Sequence, residues 1–260
     1  MTRVIFRTAG NGFPVLWLHA FPLNSAMWEG QWAALSGMVA SLGPDLPGFG
    51  ASAAANAVDD LDGLARIVYE EASASGVSHA VVAGCSMGGY LAFALLRVAP
   101  EFVSGLALIN TRASADTEQG RAKRVALAQR VEREGCGFLV EEWPPSALSP
   151  VTMSARPRVV ADVRKMVNEA SPRGVIAAQR AMANRPDSTG LLGAIRVPAV
   201  VIHGLEDTIV PEAEAREMAA AIPGAKFVAI PDAAHLPSLE QPGLVNDSLH
   251  NFFAGFELPR

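Results

Sequence analysis

The pentapeptide Gly84-Cys85-Ser86-Met87-Gly88 places a hydroxyl between two glycines where one kind of local structure gives way to another. Ahead of it, His79-Ala80-Val81-Val82-Ala83 has the apolar, β-branched character of a short buried strand. Behind it, Gly89-Tyr90-Leu91-Ala92-Phe93-Ala94-Leu95-Leu96-Arg97 reads as a buried helix. A Gly-x-Ser-x-Gly held between strand and helix makes a nucleophile elbow, a turn so tight that side chains two before and two after the serine would collide. The chemistry this allows is nucleophilic attack by Ser86, with the Met87 amide pointing at the group attacked.

A serine hydroxyl is a poor nucleophile near neutral pH and needs a positioned base, which in turn needs an orienting acid. Of the five histidines, His19 and His203 end apolar runs, His79 precedes one, and His250 falls in a terminal helix pattern. His235 lies in the loop Pro231-Asp232-Ala233-Ala234-His235-Leu236-Pro237, between a strand and the last helix, where it can reach Ser86. The acid is sought in Gly204-Leu205-Glu206-Asp207-Thr208-Ile209-Val210-Pro211, the loop after another strand. Asp207 is preferred there to its neighbour Glu206, which reads as a solvated loop charge. Asn110, at the end of a third strand, offers no negative charge to stabilise an imidazolium. Acyl transfer also needs two donors aimed at the developing oxyanion. The Met87 amide is one, and the Phe21 amide, in His19-Ala20-Phe21-Pro22 after the first long buried strand, is assigned as the other. The Gly-rich Asp45-Leu46-Pro47-Gly48-Phe49-Gly50-Ala51-Ser52 lacks the Gly-Lys-Ser/Thr ending of a phosphate cradle and reads as a tight turn beneath the nucleophile.

The elements that must hold these groups alternate along the chain. Strands are expected at 15–19, 39–42, 80–84, 106–110, 199–203 and 226–230, with helices at about 28–36, 60–75, 87–97, 212–221 and 243–253. That is the pattern of a parallel α/β sheet. Between Asn110 and Val197 the alternation stops. Helical patterns near 116–134, 155–169 and 173–184 are interrupted by a loop-like Trp143-Pro144-Pro145, and the segment reads as a helical lid over the strand ends. Residues 1–111 and 194–260 then form the core and 112–193 the cap. Trp28, Phe138, Leu139 and Trp143 are the expected substrate-binding residues.

A chain of 260 residues, half of them hydrophobic, suits one large domain with a sizeable core. The net charge of −5 argues against nucleic acid or an anionic membrane as partner. Two cysteines, Cys85 and Cys136, make no disulfide framework. The first residues carry no apolar core of signal-peptide length, and the apolar stretch at 79–99 is broken by glycines. A soluble, cytoplasmic protein is expected, a monomer or small homo-oligomer, with no metal and no cofactor.

Taken together, His19-Ala20-Phe21-Pro22, the Asp45–Ser52 stretch, Gly84-Cys85-Ser86-Met87-Gly88-Gly89, the loop from Gly204 to Pro211, and Ala234-His235 resemble the α/β-hydrolase fold family in type and order. The resemblance implies a mostly parallel sheet of about eight strands flanked by helices, with a helical cap (lid) inserted after the sixth strand. It implies nucleophile, acid and base roles for Ser86, Asp207 and His235, and oxyanion-hole roles for Phe21 and Met87. Many relatives have His-Gly where this chain has His19-Ala20, and alanine leaves the backbone less free to aim the Phe21 amide. Within the family, Ser86-Met87-Gly88-Gly89-Tyr90 and the stretch from Asn110 to Thr117 look most like small carboxylesterases and 3-oxoadipate enol-lactonase-like hydrolases. The expected activity is hydrolysis of small carboxylic esters through an acyl-enzyme. The rivals are an enol-lactone hydrolase, whose substrate carboxylate would call for Arg112, Arg180 or Arg185; a cofactor-free perhydrolase; and a non-catalytic ligand receptor.

Overall fold

The computed structural model describes residues 4–256. Six of its strands run parallel: β2 (Phe13–Leu18), β3 (Val39–Asp45), β4 (Ala80–Cys85), β5 (Val103–Ile109), β6 (Ala199–Gly204) and β7 (Lys226–Ile230). They join β1 (Ile5–Ala9), antiparallel to β3, in one sheet of order β1-β3-β2-β4-β5-β6-β7. Strands buried on both faces must be apolar throughout, and β2, β4, β5 and β6 meet this with Leu16, Trp17, Val82, Ala83, Leu106, Leu108 and Ile202 essentially without exposure. The sheet among the described residues has seven strands, not about eight, so the insertion follows the fifth strand rather than the sixth. One antiparallel strand precedes the parallel run, and it begins one residue into the described chain. That strand, β1, escaped the sequence because it lies at an edge, half exposed, with Arg7 and Thr8 inside it.

On the core, α1 (Glu29–Leu35), α2 (Leu61–Ala74) and α3 (Met87–Val98) follow β2, β3 and β4 in turn. Between β5 and β6 run α4 (Glu118–Glu134), α5 (Leu139–Glu142), α6 (Pro144–Ala147), α7 (Pro150–Ala155), α8 (Pro157–Asn168), α9 (Pro172–Ala183) and α10 (Thr189–Leu192). Then come α11 (Glu212–Ala221), α12 (Pro237–Glu240) and α13 (Pro242–Phe253). Prolines open α6, α7, α8 and α9, where the missing N–H costs nothing and the fixed φ suits the first turn. Trp143-Pro144-Pro145 is therefore not a loop: it is the junction at which α5 passes into α6.

The insertion is fastened to the core at several points. The Ser171 amide donates to the Gly48 carbonyl at 2.8 Å, and Asn24 Nδ2 donates to Glu169 Oε2 at 2.8 Å. Gly48 and Gly174 pass so closely that a Cβ on Gly48 would lie 2.1 Å from Gly174 Cα. The Gly-rich turn thus docks the insertion through α9, a contact the sequence reading did not anticipate. Among the described residues no helix is long and apolar enough to cross a membrane.

Candidate active site

Ser86 sits between β4 and α3 with φ 54° and ψ −112°, a conformation sparsely populated for a non-glycine residue and costing about 1–3 kcal/mol. The flanking glycines are required by close approach to backbone. A Cβ on Gly84 would stand 2.4 Å from the Gly88 carbonyl oxygen, and one on Gly88 would stand 2.1 Å from the Leu18 carbonyl oxygen of β2. The turn is held from three sides: the Ser86 carbonyl accepts from the Gly89 and Tyr90 amides at 2.9 and 3.2 Å and from Thr111 Oγ1 at 2.8 Å.

His235 follows β7 and Asp207 follows β6, and adjacent parallel strands bring both loops to the edge where β4 delivers Ser86. His235 Nε2 lies 2.8 Å from Ser86 Oγ, and His235 Nδ1 lies 2.8 Å from Asp207 Oδ2. Asp207 Oδ1 accepts the Ile209 and Val210 amides at 2.8 and 3.2 Å. Burial pushes the Asp207 carboxyl up, but the adjacent His235, its hydrogen bond, Asn110 and the Ile209 amide outweigh burial and hold it below the usual carboxylate range. An ionised carboxylate only accepts, so Nδ1 carries the imidazole proton and the Nε2 lone pair faces the serine hydroxyl.

Asn110 is the residue the sequence reading passed over. Set aside for lacking charge, it occupies a left-handed conformation (φ 42°) at the end of β5. From there Nδ2 donates to Asp207 Oδ2 at 2.7 Å and to the Ala234 carbonyl at 3.0 Å, while Oδ1 accepts the Gly204 amide at 3.1 Å. One amide side chain thus ties Asp207 to the start of its own loop and to the loop of His235. An asparagine closing a buried strand, a type that tolerates positive φ, was the available signal. Glu206, half-buried, makes no side-chain hydrogen bond or ion pair among the described residues. Cys85 is fully buried, and burial, with Asp207 nearby, pushes its thiol far above the ordinary range.

A cavity of about 550 Å³ opens over Ser86 and His235, with Phe21, Tyr90, Arg112 and Trp143 in its wall. The Phe21 and Met87 amides have no acceptor among the described residues. Ala20 is not among the residues with positive φ, so its position does not call for glycine. Of the four expected substrate-binding residues only Trp143 lines this cavity. Trp28 is fully buried in the core against Trp17, with ring centroids 5.2 Å apart. Leu139 is buried in the hydrophobic core, and Phe138 lies beneath the Arg130 guanidinium at 3.6 Å. Each is apolar for packing reasons that composition does not separate from a lining role. The wall also includes Leu127 on α4 and Gln179 and Met182 on α9.

The cavity wall also carries charge, in Arg112, Asp116, Lys123 and Arg124. Asp116, with 1% of its side chain exposed, is gripped by Arg112 at 3.0 Å, by Arg185 at 2.9 Å and by Arg124. Burial raises its carboxyl, but Arg124 and then Arg185 outweigh burial and hold it below the usual range. Arg112 also meets Glu214 at 3.1 Å. Of the arginines considered from sequence, Arg112 faces the cavity, Arg185 is buried 4.0 Å over the Tyr90 ring, and Arg180 pairs with Glu132 at the surface.

Residues 15–248 match the family model described as the alpha/beta hydrolase family. Among solved structures, a thermophilic esterase from Thermogutta terrifontis superposes with a TM-score of 0.93 at 39% identity, over 96% of this chain and 93% of that one. The enol-lactonase from Burkholderia xenovorans superposes with a TM-score of 0.89 at 26% identity, over 96% of each chain. In sequence, the pimeloyl-[acyl-carrier protein] methyl ester esterase of Nitrosomonas europaea is 27% identical over 93% of this chain and 96% of its own.

Proposed function

The chain belongs to the alpha/beta hydrolase family, and from that premise we propose that it is a serine hydrolase of small carboxylic esters, with residues 112–193 acting as a cap over the site. The observation that carries this reading is the unbroken line from Asp207 Oδ2 through His235 to Ser86 Oγ, two contacts of 2.8 Å each, with Ser86 and His235 lining the cavity. His235 Nε2 takes the proton as Ser86 Oγ attacks the ester carbonyl carbon. The tetrahedral oxyanion is received by the Phe21 and Met87 amides, donors that have no other acceptor among the described residues. The imidazolium, stabilised by Asp207, returns its proton to the leaving alcohol as the carbon–oxygen bond breaks. A water activated by the same nitrogen then releases the acid and restores Ser86.

The test is steady-state hydrolysis of nitrophenyl esters from acetate to decanoate. Turnover should peak at a chain length set by the cavity, and Ser86→Ala or His235→Ala should lower kcat by at least about 10³-fold. Turnover that survives in either folded variant overturns the triad assignment.

Lys123 in the cavity wall, beside Arg112 and Arg124, which share Asp116, supports a second reading, hydrolysis of a lactone that carries a free carboxylate. The discriminating variant is Arg112→Gln. It should raise KM for a carboxylate-bearing enol-lactone roughly tenfold or more and leave a neutral nitrophenyl ester within about twofold. Equal effects on both substrates count against an anionic substrate.

A further inference from the structure

Glu240, at the end of α12, is fully buried and has no cationic partner among the described residues. Its carboxylate is engaged instead by three backbone amides. Oε1 accepts from Ala234 at 2.9 Å and from Leu236 at 3.3 Å, the two residues that bracket His235. Oε2 accepts from Ser149 at 2.7 Å, and Ser149 belongs to the helical insertion. The amide of His235 itself donates to the insertion, to the Ala147 carbonyl at 3.0 Å. Three consecutive amides of the histidine loop are thus fixed, and every one of those bonds leads directly or through Glu240 to the insertion at 147–149.

We propose that Glu240 is a positioning residue for His235, tying the histidine loop to the insertion so that the base stands in line with Ser86 only while the 147–149 segment is seated. Another buried carboxylate shows what a merely structural role looks like: Asp45 accepts the Ser25 and Ala51 amides, neither of which bears a reacting group. Glu240 differs because two of its donors flank the imidazole and the third belongs to another layer. The tie also bears on how the site opens: lifting the insertion at this corner would break the Ala147 and Ser149 bonds and release the histidine loop.

The proposal rests on the ester-hydrolase reading, and two substitutions test it. Glu240→Gln keeps the shape. With its oxygen on the Ala234 and Leu236 amides, its NH₂ faces the Ser149 N–H, two donors opposed without water between them. We expect kcat to fall roughly tenfold or more with KM within about twofold, because ground-state binding does not use this contact. Ser149→Pro removes the third amide hydrogen at the insertion. Ser149 has φ −64° and Leu148 has ψ 146°, which suit proline and its predecessor. Ser149→Ala keeps the N–H and loses, as proline does, the two hydroxyl bonds to the Thr152 amide and hydroxyl, so the proline variant should turn over roughly tenfold more slowly than the alanine one.

Asp60→Ala, which removes the α2 N-cap bond to the Gly63 amide, serves as a stability control: it should lower Tm while kcat per folded molecule stays constant. A substrate-independent readout is the downfield proton resonance of the His235 Nδ1–H, expected to shift or broaden in Glu240→Gln and Ser149→Pro and not in Asp60→Ala. Wild-type kcat per folded molecule and an unmoved resonance in both variants overturn the proposal. If Glu240→Gln does not fold, the Ser149 pair decides. If the wild type shows no turnover that depends on Ser86, the hydrolase reading falls and the resonance alone decides the role of Glu240.

Discussion

Asn110 is the sharpest place to perturb the site without touching a reacting atom. Its side chain makes three hydrogen bonds, to Asp207 Oδ2, to the Ala234 carbonyl and from the Gly204 amide, at 2.7, 3.0 and 3.1 Å. The first involves an ionised acceptor, and such a bond is worth about 1.5–3 kcal/mol. Asn110→Ala leaves Asp207 with one fewer donor, free to rotate away from His235 Nδ1. If that loss is felt wholly in the transition state, where the imidazolium forms, kcat falls roughly ten- to a hundredfold, at about 1.4 kcal/mol per tenfold. KM should stay within about twofold, since no cavity-wall residue has changed. Stability should fall as well, by about 2–5 kcal/mol: the Gly204 N–H and Ala234 carbonyl lose a partner in a buried site, and alanine is less tolerant than asparagine of φ 42°. Asn110→Gly separates the two effects, because glycine accepts the backbone angle while leaving the same groups unpaired. It should be as slow as Asn110→Ala but recover about 1 kcal/mol in urea midpoint analysis. Asn110→Asp should be slower than either at neutral pH, because it sets a second carboxyl against Asp207 and the pair retains a proton. The assays are kcat and KM on a nitrophenyl ester and urea unfolding followed by tryptophan fluorescence. A kcat for Asn110→Ala within twofold of wild type refutes the reasoning, because Asp207 would then be held without the amide.

Other outcomes follow from the same geometry. Asp116 titrates lower in the folded protein than in the unfolded chain, so its contribution to stability is complete above the ordinary carboxylate pKa and drains away as pH falls through the range below it. Urea midpoints measured from pH 6 to pH 3 should fall more steeply in the wild type than in Asp116→Asn, and equal slopes would show the arginine grip to be inert. Gly174→Ala would place a Cβ 2.4 Å from Gly48 Cα and 2.6 Å from its carbonyl oxygen. It should push α9 off the core, lowering Tm by several degrees and raising KM; an unchanged Tm would mean that the two layers separate easily. Thr111→Val removes the hydroxyl that donates to the Ser86 carbonyl, while the Gly89 and Tyr90 amides remain on it. A loss of about 1 kcal/mol in stability and no more than tenfold in kcat is expected, and a larger drop in kcat would show that the elbow depends on the threonine.

What the sequence revealed of this site is what short-range sterics and chain order dictate. Gly84 and Gly88 announce a turn that no other residue fits, and Ser86 between them needs no knowledge of distant contacts. Asp207 and His235 are legible because each lies in a loop that follows a buried apolar strand, and parallel strands deliver such loops to one edge. Asn110 and Glu240 act through bonds spanning 97 and 91 residues respectively, and their type alone says nothing of that. The cavity wall fared worst for a related reason. Trp28, Leu139 and Trp143 are all apolar, yet only the last faces the cavity, because a residue filling a core and one lining a pocket satisfy the same preference for leaving water. The edge strand β1 was hidden by the reverse effect: exposure permits Arg7 and Thr8, and the alternation that marks a strand disappears.

The proposed cap, residues 112–193, is bonded to the site as well as lining the cavity. Thr111, where the chain leaves β5 for the insertion, donates to the carbonyl of Ser86. Ala147 and Ser149, midway along it, hold the amide of His235 and the carboxylate of Glu240. Ser188, near its end, donates its amide to the Ala113 carbonyl, closing the insertion back on its own start. Residues of the segment that lines the cavity therefore also bond to the loop of His235, directly and through Glu240. A segment that only shaped the pocket would alter binding when displaced; one bonded at these points also moves the reacting groups. Ser86 sits at a costly φ of 54°, and such strain persists only where the surroundings over-determine it. Those surroundings, Thr111 among them, belong to the core, and the insertion begins at the next residue. Replacing the insertion with one of different shape thus changes what the cavity admits and, through the Ala147 and Ser149 bonds, how well His235 stays in line with Ser86.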